Sequence, residues 1–592
     1  MKNKQVKDNR LLLIPLLFII GIVPLIVYLR AQPLSGIVSK LWIDSKFDTD
    51  FFSYYKAIWL MVGTGALALV MIGMKLDDTL KLKKTSMYIP LGIYAFFVLL
   101  STLLAEHKDV AVWGFASRYE GMLVLLCYCF IVFGMINLVD NEKDVKAIIN
   151  TFIASAVLIG IIGAFQFFGF DWFKSEIGKK LMLPAQYRTL DVNFTFGKYT
   201  IYATMFNTNN VGSYAAMMVP LSLIIFAHTR SMLSKVSSGL FSLLMFVLLV
   251  GCRSRAGIIG AVVSLLIAIA IIRRSILREW IKFSCFAAGC IIMLIIMNSV
   301  SGGVIYSTGK SIAEDINKSV GETRNTAPIR DIVLENGDAK VVTDAGSLKI
   351  SLKDSKLSFL NENNEQMAFA QTKENDKIVY SFQDEKYSDF KFTYIAEAYM
   401  LQMNKGGTIV RFGLTEKGIV FINKDGAFVA PTEIRKIDIK GKEAVASGRL
   451  FIWSRSIPLL LDTLFIGKGP DTYAIYFPQN DFVGKILGLG NQNILVDKPH
   501  NIYLQMGINT GVISLLAFLV LIGMYFVSCF KLYFRKDTQE GLLNTIGSAA
   551  FAGVAGYLAA GVFNDSIVSV APLFWALLGL GIAINMKLSK AK

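Results

Sequence analysis

The feature that most constrains the fold of this chain is a series of apolar runs, each about 20 residues long and most of them joined by short polar loops. A helix of that length matches the hydrocarbon core of a bilayer. Of the 592 residues, 54% are hydrophobic, and the mean hydropathy is +0.52. Soluble domains are less apolar than this. We therefore predict an α-helical polytopic membrane protein.

The apolar runs predict about twelve transmembrane helices. Their expected positions are 11–31, 57–74, 88–105, 119–139, 147–168, 203–227, 236–252, 256–272, 283–300, 507–530, 543–563 and 567–586. The first run follows the basic stretch "MKNKQVKDNR" and lacks a clear small-residue cleavage site. We expect it to be a retained helix and not a signal peptide.

The basic residues predict the orientation of the chain in the membrane. Formal net charge is +16, and much of it lies in short loops such as "KLDDTLKLKKTS", "HTRSMLSK" and "RRSILREWIK". Short basic loops face the cytoplasm, where they meet anionic lipid. The pattern therefore predicts a multi-pass protein of the cytoplasmic (inner or plasma) membrane with both termini cytoplasmic. It favours membrane lipid over nucleic acid as the partner of the basic charge.

The long polar region 301–506 is predicted to be extracytoplasmic and folded, because structureless loops of this length are uncommon. Stretches such as "KIVYSF" and "GIVFIN" between 328 and 442 are typical of strands. From Ser447, a plausible cap, the stretch "SGRLFIWSRSIPLLLDTLF" has the spacing of an amphipathic helix. We expect this helix at the membrane surface, with its arginines near lipid headgroups.

These patterns divide the chain into four parts. Residues 1–302 form a membrane domain of about nine helices, and 303–445 form an inserted extracytoplasmic β-rich domain. Residues 446–506 form an extracytoplasmic catalytic segment that contains the amphipathic helix. Residues 507–592 supply about three further transmembrane helices.

Arginines at the predicted outer side are the first candidates for chemistry. Arg253 and Arg255 lie between two apolar helices in "GCRSRAG". Guanidinium groups bind phosphate oxygens in a bidentate fork, which suits a membrane-anchored pyrophosphate. Interfacial anchoring is the alternative for this pair. Arg118, Arg449 and Arg455 allow the same two interpretations, substrate binding or headgroup contact.

One histidine is the candidate base. The chain has three histidines, and His500 lies in "VDKPHNIYLQMGINTG", just before the helix expected near Gly507. An imidazole is a competent general base at neutral pH, although a structural role is equally open on this pattern. His107 and His228 are most simply interfacial polar residues.

No metal site or cofactor is expected from the sequence. The six cysteines lie in or at the ends of apolar runs and favour a role as small buried hydrophobes. They are Cys127, Cys129, Cys252, Cys285, Cys290 and Cys529. Carboxylates and histidines lack the spacing of metal ligands, and no dinucleotide or Walker motif follows a strand.

Four stretches of the chain resemble the O-antigen ligase and O-antigen polymerase superfamily of bacterial membrane glycosyltransferases, whose fold is GT-C-like. "MFNTNNVGSYAAMMVPL" (205–221), which contains Asn210, is similar to the asparagine-containing helix start of the family. "CRSRAGIIGAVVSLL" resembles its Ser-Arg-small motif, matching Ser254 and Arg255. "WGFASRYEG" around Arg118 adds a further likeness in the first four predicted helices.

The other two stretches lie near the C-terminal end. "GRLFIWSRSIPLLLDTLFIGKGPDTY" is similar to the family's Arg-x-x-x-Trp helix followed by Gly-x-Gly. "KPHNIYLQMGINTGVISLL" resembles its His-Asn-x-Tyr-Leu…Gly motif. The matching residues are Arg449, Trp453, Gly467, Gly469, His500, Asn501, Tyr503, Leu504 and Gly511.

The resemblance implies an enzyme of cell-surface polysaccharide or glycoconjugate assembly. Its donor would be a glycan on undecaprenyl pyrophosphate, and its acceptor a hydroxyl group of a glycan, lipid or protein. Arg255 and Arg449 would bind the pyrophosphate, and His500 would deprotonate the acceptor in an inverting, metal-independent transfer. Further substrate-binding residues would be Arg253, Arg118, Arg455, Asn501, Tyr503 and Asn210.

Several alternatives stay open on the sequence. A polymerase of the same family joins two carrier-linked units, whereas a ligase transfers the glycan to another kind of acceptor. A lipid-linked glycan flippase is the alternative from another class, since twelve helices with both ends inside are common in transporters. A sensor that binds a ligand through the β-rich domain is a third alternative.

Overall fold

The computed structural model describes residues 9–42, 47–189, 194, 196–320, 328–353, 356–374, 377–423, 425–430, 432–439, 441–534 and 541–590. The predicted basic start at 1–8, the last part of the predicted inner loop at 535–540 and the last two residues of the tail lie outside this range. Within it the chain is mostly helical, with one β-rich region.

The helices of the described residues follow one another along the whole chain. They are α1 (Ile14–Gly21), α2 (Gly36–Leu41), α3 (Tyr54–Leu76), α4 (Tyr88–Leu103), α5 (Lys108–Trp113), α6 (Met122–Leu138), α7 (Glu142–Phe167), α8 (Glu176–Met182), α9 (Thr208–His228), α10 (Met232–Gly251), α11 (Arg255–Arg278), α12 (Trp280–Val300), α13 (Val304–Val320), α14 (Arg449–Asp462), α15 (Tyr473–Tyr476), α16 (Phe482–Leu489), α17 (Ile502–Thr510), α18 (Val512–Tyr533), α19 (Leu542–Ala560) and α20 (Ala571–Lys590).

Nine helices of the described residues are long and apolar enough to cross a membrane. They are α3, α7, α9, α10, α11, α12, α18, α19 and α20. Shorter apolar helices at Leu11–Leu25, α4 and α6 coincide with the other three predicted spans. The prediction of a multi-pass helical membrane protein is confirmed, and the count of twelve stays a prediction.

Helices α9, α11 and α19 form the tightest part of the bundle. A Cβ on Gly257 of α11 would lie 2.5 Å from the Cα of Gly212 in α9. A Cβ on Gly556 of α19 would lie 2.2 Å from the carbonyl oxygen of Ala216. Small residues at crossings let helix backbones approach in this way. The close packing holds the first residues of α9 and α11 beside the loop that follows α19. We call the end of the bundle formed by these three parts the site end.

The strands form a small hairpin near the N-terminus and two larger antiparallel sheets, which confirms the predicted β-rich region. The hairpin is β1 (Arg30–Pro33) with β2 (Phe47–Asp50). One sheet has the order β3–β4–β5–β6 and the other β13–β12–β11–β10–β9–β8–β7. Their strands are β3 (Asp331–Glu335), β4 (Asp338–Thr343), β5 (Gly346–Lys353), β6 (Lys356–Leu360), β7 (Phe369–Glu374), β8 (Lys377–Phe382), β9 (Phe390–Ile395), β10 (Met400–Lys405), β11 (Thr408–Thr415), β12 (Gly418–Ile422) and β13 (Phe428–Val429).

The β-rich domain is attached to the segment that carries α14–α17. Phe482 and Ile486 of α16 are buried in the same apolar core as the inward faces of the two sheets. The side chain of Gln492 donates to the carbonyl of Ile422 at 2.9 Å and accepts from the backbone N–H of Arg411 at 3.1 Å. The domain and this segment therefore share one hydrophobic core.

Two helix boundaries differ from the predictions. Gly448, not Ser447, is the residue before α14, and no side chain caps that helix. Residues 502–510, whose second half was expected to begin a long membrane helix, form the separate helix α17, capped by Asn501. Gly511 has a φ of +104°, which glycine adopts without strain, and it breaks the chain direction before α18.

Candidate active site

The central contact of the site end joins His500 to Asp565. The Nδ1 atom of His500 lies 3.0 Å from an oxygen of Asp565, whose side chain is 10% exposed, against 28% for the histidine. Asp565 lies in the loop between α19 and α20, so the pair connects two distant parts of the chain. Sequence reasoning did not identify Asp565; the only signal was a polar stretch between the last two apolar runs.

The backbone around His500 is held by α14. Trp453 donates from Nε1 to the carbonyl of Pro499 at 2.9 Å, and its ring packs on Phe563 with 5.6 Å between centroids. One indole thus contacts both the histidine segment and the aspartate loop. His500 itself has a φ of +50°, a left-handed conformation that a non-glycine residue adopts at some cost.

The aspartate loop is held from both sides. Asn564 donates from its amide to the carbonyl of Asn209 at 2.9 Å and to the hydroxyl of Ser213 at 2.7 Å, both in α9. The backbone N–H of Ser566 donates to the side chain of Gln505 in α17 at 2.9 Å. Neighbours on either side of Asp565 therefore fix its carboxylate against the imidazole.

The electrostatics of the pair favour a charged carboxylate. Burial alone would raise the pKa of Asp565, but His500, Lys498 and Arg118 outweigh it and lower this pKa to about 2. A carboxylate only accepts hydrogen bonds, so it favours the imidazole tautomer with its proton on Nδ1. The other nitrogen, Nε2, is then the basic one.

Arg449, the first residue of α14, lies beside this pair. Its Nε donates to the carbonyl of Phe563 at 3.0 Å, two residues before Asp565. Burial lowers the pKa of the Arg449 guanidinium, Asp565 raises it, and the neighbouring Arg255 lowers it further, so the net direction is downward. An arginine stays protonated in a protein, so this one contributes a positive charge close to the loop that carries Asp565.

Arg255 is the first residue of α11, and Arg253 lies just before the serine that caps this helix. Arg255 donates to the hydroxyl of Ser311 at 3.0 Å and to that of Ser447 at 3.4 Å. Arg253, at a φ of +55°, donates from Nε to Thr308 at 3.1 Å. The two guanidinium groups open into one polar pocket. Its lining is Thr200, Thr208, Cys252, Arg253, Arg255, Ser307, Thr308 and Ser311.

Ser254, between these arginines, fixes the turn. Its hydroxyl accepts from the backbone N–H of Gly257 at 3.1 Å, which caps α11, and contacts the side-chain oxygen of Asn209 at 3.0 Å. The Ser-Arg pattern of the sequence thus has a local physical reason. The serine starts the helix, and the arginine on its first turn faces the pocket.

Two further predicted arginines form buried ion pairs. Arg118 lies 2.6 Å from Asp471 and donates to the carbonyl of Asp497 at 2.7 Å. Arg455 lies 2.8 Å from Asp481, and its side chain is only 3% exposed. The expected placement of Arg455 near lipid headgroups is wrong, because α14 packs this face against α16. Substrate binding by Arg118 or Arg455 stays a prediction.

The remaining predicted residues support the backbone. Asn501 accepts from the N–H groups of Tyr503 and Leu504 at 2.9 and 3.0 Å. The hydroxyl of Tyr503 donates to the carbonyl of Leu558 at 2.9 Å, and Asn210 donates to that of Met205 at 3.0 Å. These bonds hold the histidine segment and the start of α9. A role in substrate binding stays a prediction for all three.

The Gly-x-Gly stretch fixes the far end of α17. The backbone N–H groups of Lys468 and Gly469 donate to the carbonyls of Ile508 and Asn509 at 3.0 and 2.9 Å. A Cβ on Gly467 would lie 2.2 Å from the carbonyl oxygen of Asn509. Glycine is therefore required for this close approach, which anchors the helix that His500 precedes.

The fold and the site are those of a polytopic membrane protein with a histidine–carboxylate pair beside a row of arginines. A family model described as O-Antigen ligase matches residues 406–519. Over this segment the chain is similar to the O-antigen ligase family. The match includes Arg449 and His500, whereas Arg255 and Asp565 lie outside it. A comparison with curated proteins found no match.

Proposed function

We propose that the protein is a ligase-type membrane glycosyltransferase. It transfers a glycan from undecaprenyl pyrophosphate to a hydroxyl group of a glycan, lipid or protein acceptor at the outer face of the cytoplasmic membrane. The observation that carries the proposal is the His500–Asp565 contact, beside which Arg449 donates to the carbonyl of Phe563. A base and a set of cations are the two groups that this transfer needs.

His500 acts on the acceptor. Its Nε2 takes the proton of the acceptor hydroxyl while the oxygen attacks the anomeric carbon of the donor sugar. Asp565 keeps the other proton on Nδ1 and stabilises the imidazolium that forms. The proton then passes to water. A base positioned in this way typically contributes about 10²–10⁴-fold to the rate.

Arg449 and Arg255 act on the leaving group. As the bond between the anomeric carbon and the phosphate oxygen breaks, negative charge grows on the pyrophosphate. Fixed guanidinium groups at a partly buried site stabilise that charge without reorganising. Attack from the side opposite the leaving group inverts the anomeric carbon.

The polymerase alternative uses the same groups and differs only in the acceptor, which is then a second carrier-linked glycan. Ligase-type chemistry is favoured by the β-rich domain, which shares a core with α16 beside the site and offers a surface for a separate acceptor. A flippase would not need a base held by a carboxylate, and the His500–Asp565 pair therefore favours transfer over transport.

The test is a transfer assay with purified full-length protein, undecaprenyl-pyrophosphate glycan and candidate acceptors. The variants are His500→Ala, Arg255→Ala and Arg449→Ala. His228→Ala, at the far end of α9, and Arg330→Ala, in the β-rich domain, are matched controls. We expect about 10²-fold or greater loss in the three site variants and wild-type rates in the controls.

Retained activity in all three site variants would remove the proposed mechanism. Movement of the lipid across liposomes without any glycan transfer would favour the flippase. Lengthening of carrier-linked glycan without transfer to another acceptor would favour the polymerase.

A further inference from the structure

Helix α13 presents hydroxyl groups to the arginine pair at the start of α11. Thr308 accepts from Arg253 at 3.1 Å, and Ser311 accepts from Arg255 at 3.0 Å. Ser307 lines the same pocket. Positions 307, 308 and 311 share one side of a helix, since residues three and four apart are neighbours on its surface.

The three arginines form an ordered row that leads away from the base. Arg449 donates to the carbonyl of Phe563 at 3.0 Å, two residues before Asp565. Arg255 reaches Ser447 near the start of α14 with one nitrogen and Ser311 of α13 with another. Within the part of the chain that the structure describes, Arg253 donates to Thr308 of α13 at 3.1 Å and to Thr200 at 3.5 Å. The row therefore has an end beside His500 and an end beside α13.

A pyrophosphate has two phosphate groups that can be placed along this row. The sugar-side phosphate must lie near the anomeric carbon, and hence near the His500 end. The lipid-side phosphate then falls at the α13 end. A serine or threonine hydroxyl both accepts and donates, so the hydroxyls that now accept from guanidinium groups can donate to phosphate oxygens.

We propose that Ser307, Thr308 and Ser311 of α13, together with Arg253, bind the lipid-side phosphate of the donor. Arg449 and Arg255 bind the sugar-side phosphate. The inference rests on the proposed function, because it divides the pyrophosphate between two groups of side chains. It also assigns α13, whose hydroxyls no sequence motif singles out, to the donor site.

The division predicts how two simple lipids bind. A lipid monophosphate occupies the α13 end only, whereas a lipid pyrophosphate also contacts Arg449 and Arg255. Removing the hydroxyls of α13 should therefore weaken both lipids. Removing Arg449 should weaken the pyrophosphate alone.

The experiment measures binding of farnesyl monophosphate and farnesyl pyrophosphate to the full-length protein in detergent. We expect the wild type to bind the pyrophosphate at least about tenfold more tightly. In the triple variant Ser307→Ala, Thr308→Val, Ser311→Ala, we expect about tenfold weaker binding of both lipids and an unchanged preference. In Arg449→Ala, the preference should fall to about twofold or less while monophosphate affinity is kept.

Controls separate hydroxyl chemistry from packing. Ser311→Thr keeps a hydroxyl and should retain wild-type affinity for both lipids. Ser299→Ala removes an exposed hydroxyl from α12 and should change neither affinity. If the triple variant does not fold, as judged by thermal unfolding, Ser307→Ala and Ser311→Ala carry the same comparison singly.

Unchanged monophosphate affinity in the folded α13 variants would overturn the inference and leave the proposed function intact. Equal weakening of both lipids in Arg449→Ala would overturn the order of the two phosphates. A wild-type protein that binds neither lipid would count against the proposed function itself.

Discussion

The indole of Trp453 donates a hydrogen bond of 2.9 Å to the carbonyl of Pro499, the residue before His500. The same ring packs on Phe563, two residues before Asp565. Trp453 therefore holds the segment of His500, the proposed base, against the loop that carries Asp565. It is a positioning residue.

Replacing Trp453 by phenylalanine keeps an aromatic ring and removes the donor. We expect the transfer rate constant to fall by about tenfold, because small displacements of a base cost much of its effect. Affinity for the lipid donor should stay near that of the wild type. Steady-state rates and lipid binding measure the two quantities. A variant that loses affinity and keeps its rate constant would show that Trp453 acts on the donor.

Acid should weaken the folded state through Asp565. Folding lowers the pKa of this carboxyl to about 2, and burial opposes that shift while His500, Lys498 and Arg118 drive it. A carboxyl with a lowered pKa contributes stability above its ordinary pKa of about 4, and the contribution is lost as the pH falls toward 2. Its full size is roughly 2 kcal/mol.

The matching experiment follows thermal unfolding of the wild type and Asp565→Asn in detergent between pH 7 and pH 3. The wild-type melting temperature should fall more steeply than that of the variant below about pH 4. Parallel curves for the two proteins would show that the ion pair with His500 contributes nothing to this acid dependence.

The sequence predicted the elements that depend on composition and local pattern. Apolar runs gave the positions of the membrane helices, and alternating strands gave the β-rich domain. His500, Arg255 and Arg449 could be proposed as site residues because each lies in a short motif, and their roles stay predictions. These features can be predicted without knowing which residues they contact in the folded protein.

Features that depend on a contact with a residue far along the chain could not be predicted from the sequence. Asp565 lies in no recognised motif. It becomes a candidate site residue only through its contact with His500, 65 positions earlier. In the sequence, Arg455 has the pattern of a surface arginine on an amphipathic helix. In the structure it forms an ion pair with Asp481. The break at Gly511 was hidden because apolar residues continue on both sides of it.

Mutation of the two arginines of α14 should have different effects, one mainly on stability and the other mainly on transfer activity. Arg455→Ala leaves Asp481 as a buried charge without its main partner, which typically costs about 3–5 kcal/mol. Arg449→Ala removes a half-buried charge at the site and should change stability far less while abolishing most transfer. Melting temperature and activity per folded molecule distinguish the two. High stability with lost activity in Arg455→Ala would instead support its predicted contact with substrate.

Gly467→Ala should damage the site from a distance. The new Cβ would lie 2.2 Å from the carbonyl oxygen of Asn509, so the backbone must move at the end of α17. We expect a loss of about 1–3 kcal/mol in stability and reduced transfer. Gly523→Ala in α18 is the matched control, since no neighbouring part of the described chain lies within 4 Å of its added Cβ. Equal behaviour of the two variants would contradict a role for this close approach.

The β-rich domain and the segment carrying the site should unfold together, because they share a core. Phe482 of α16 is buried, and its ring lies 5.1 Å from that of Phe421 in β12. Phe482→Ala should cost about 3–5 kcal/mol and raise hydrogen exchange both in β12 and in α14. Phe428→Ala, which truncates a half-exposed ring on the edge strand β13, is the control and should affect neither element strongly.

Increased exchange confined to the sheets would show that the domain folds independently. Deletion of 328–442 would then be a clean test of whether the domain binds the acceptor. Increased exchange in both elements means that such a deletion also exposes Phe482 and Ile486, so that loss of acceptor use has to be tested with surface substitutions on the sheets.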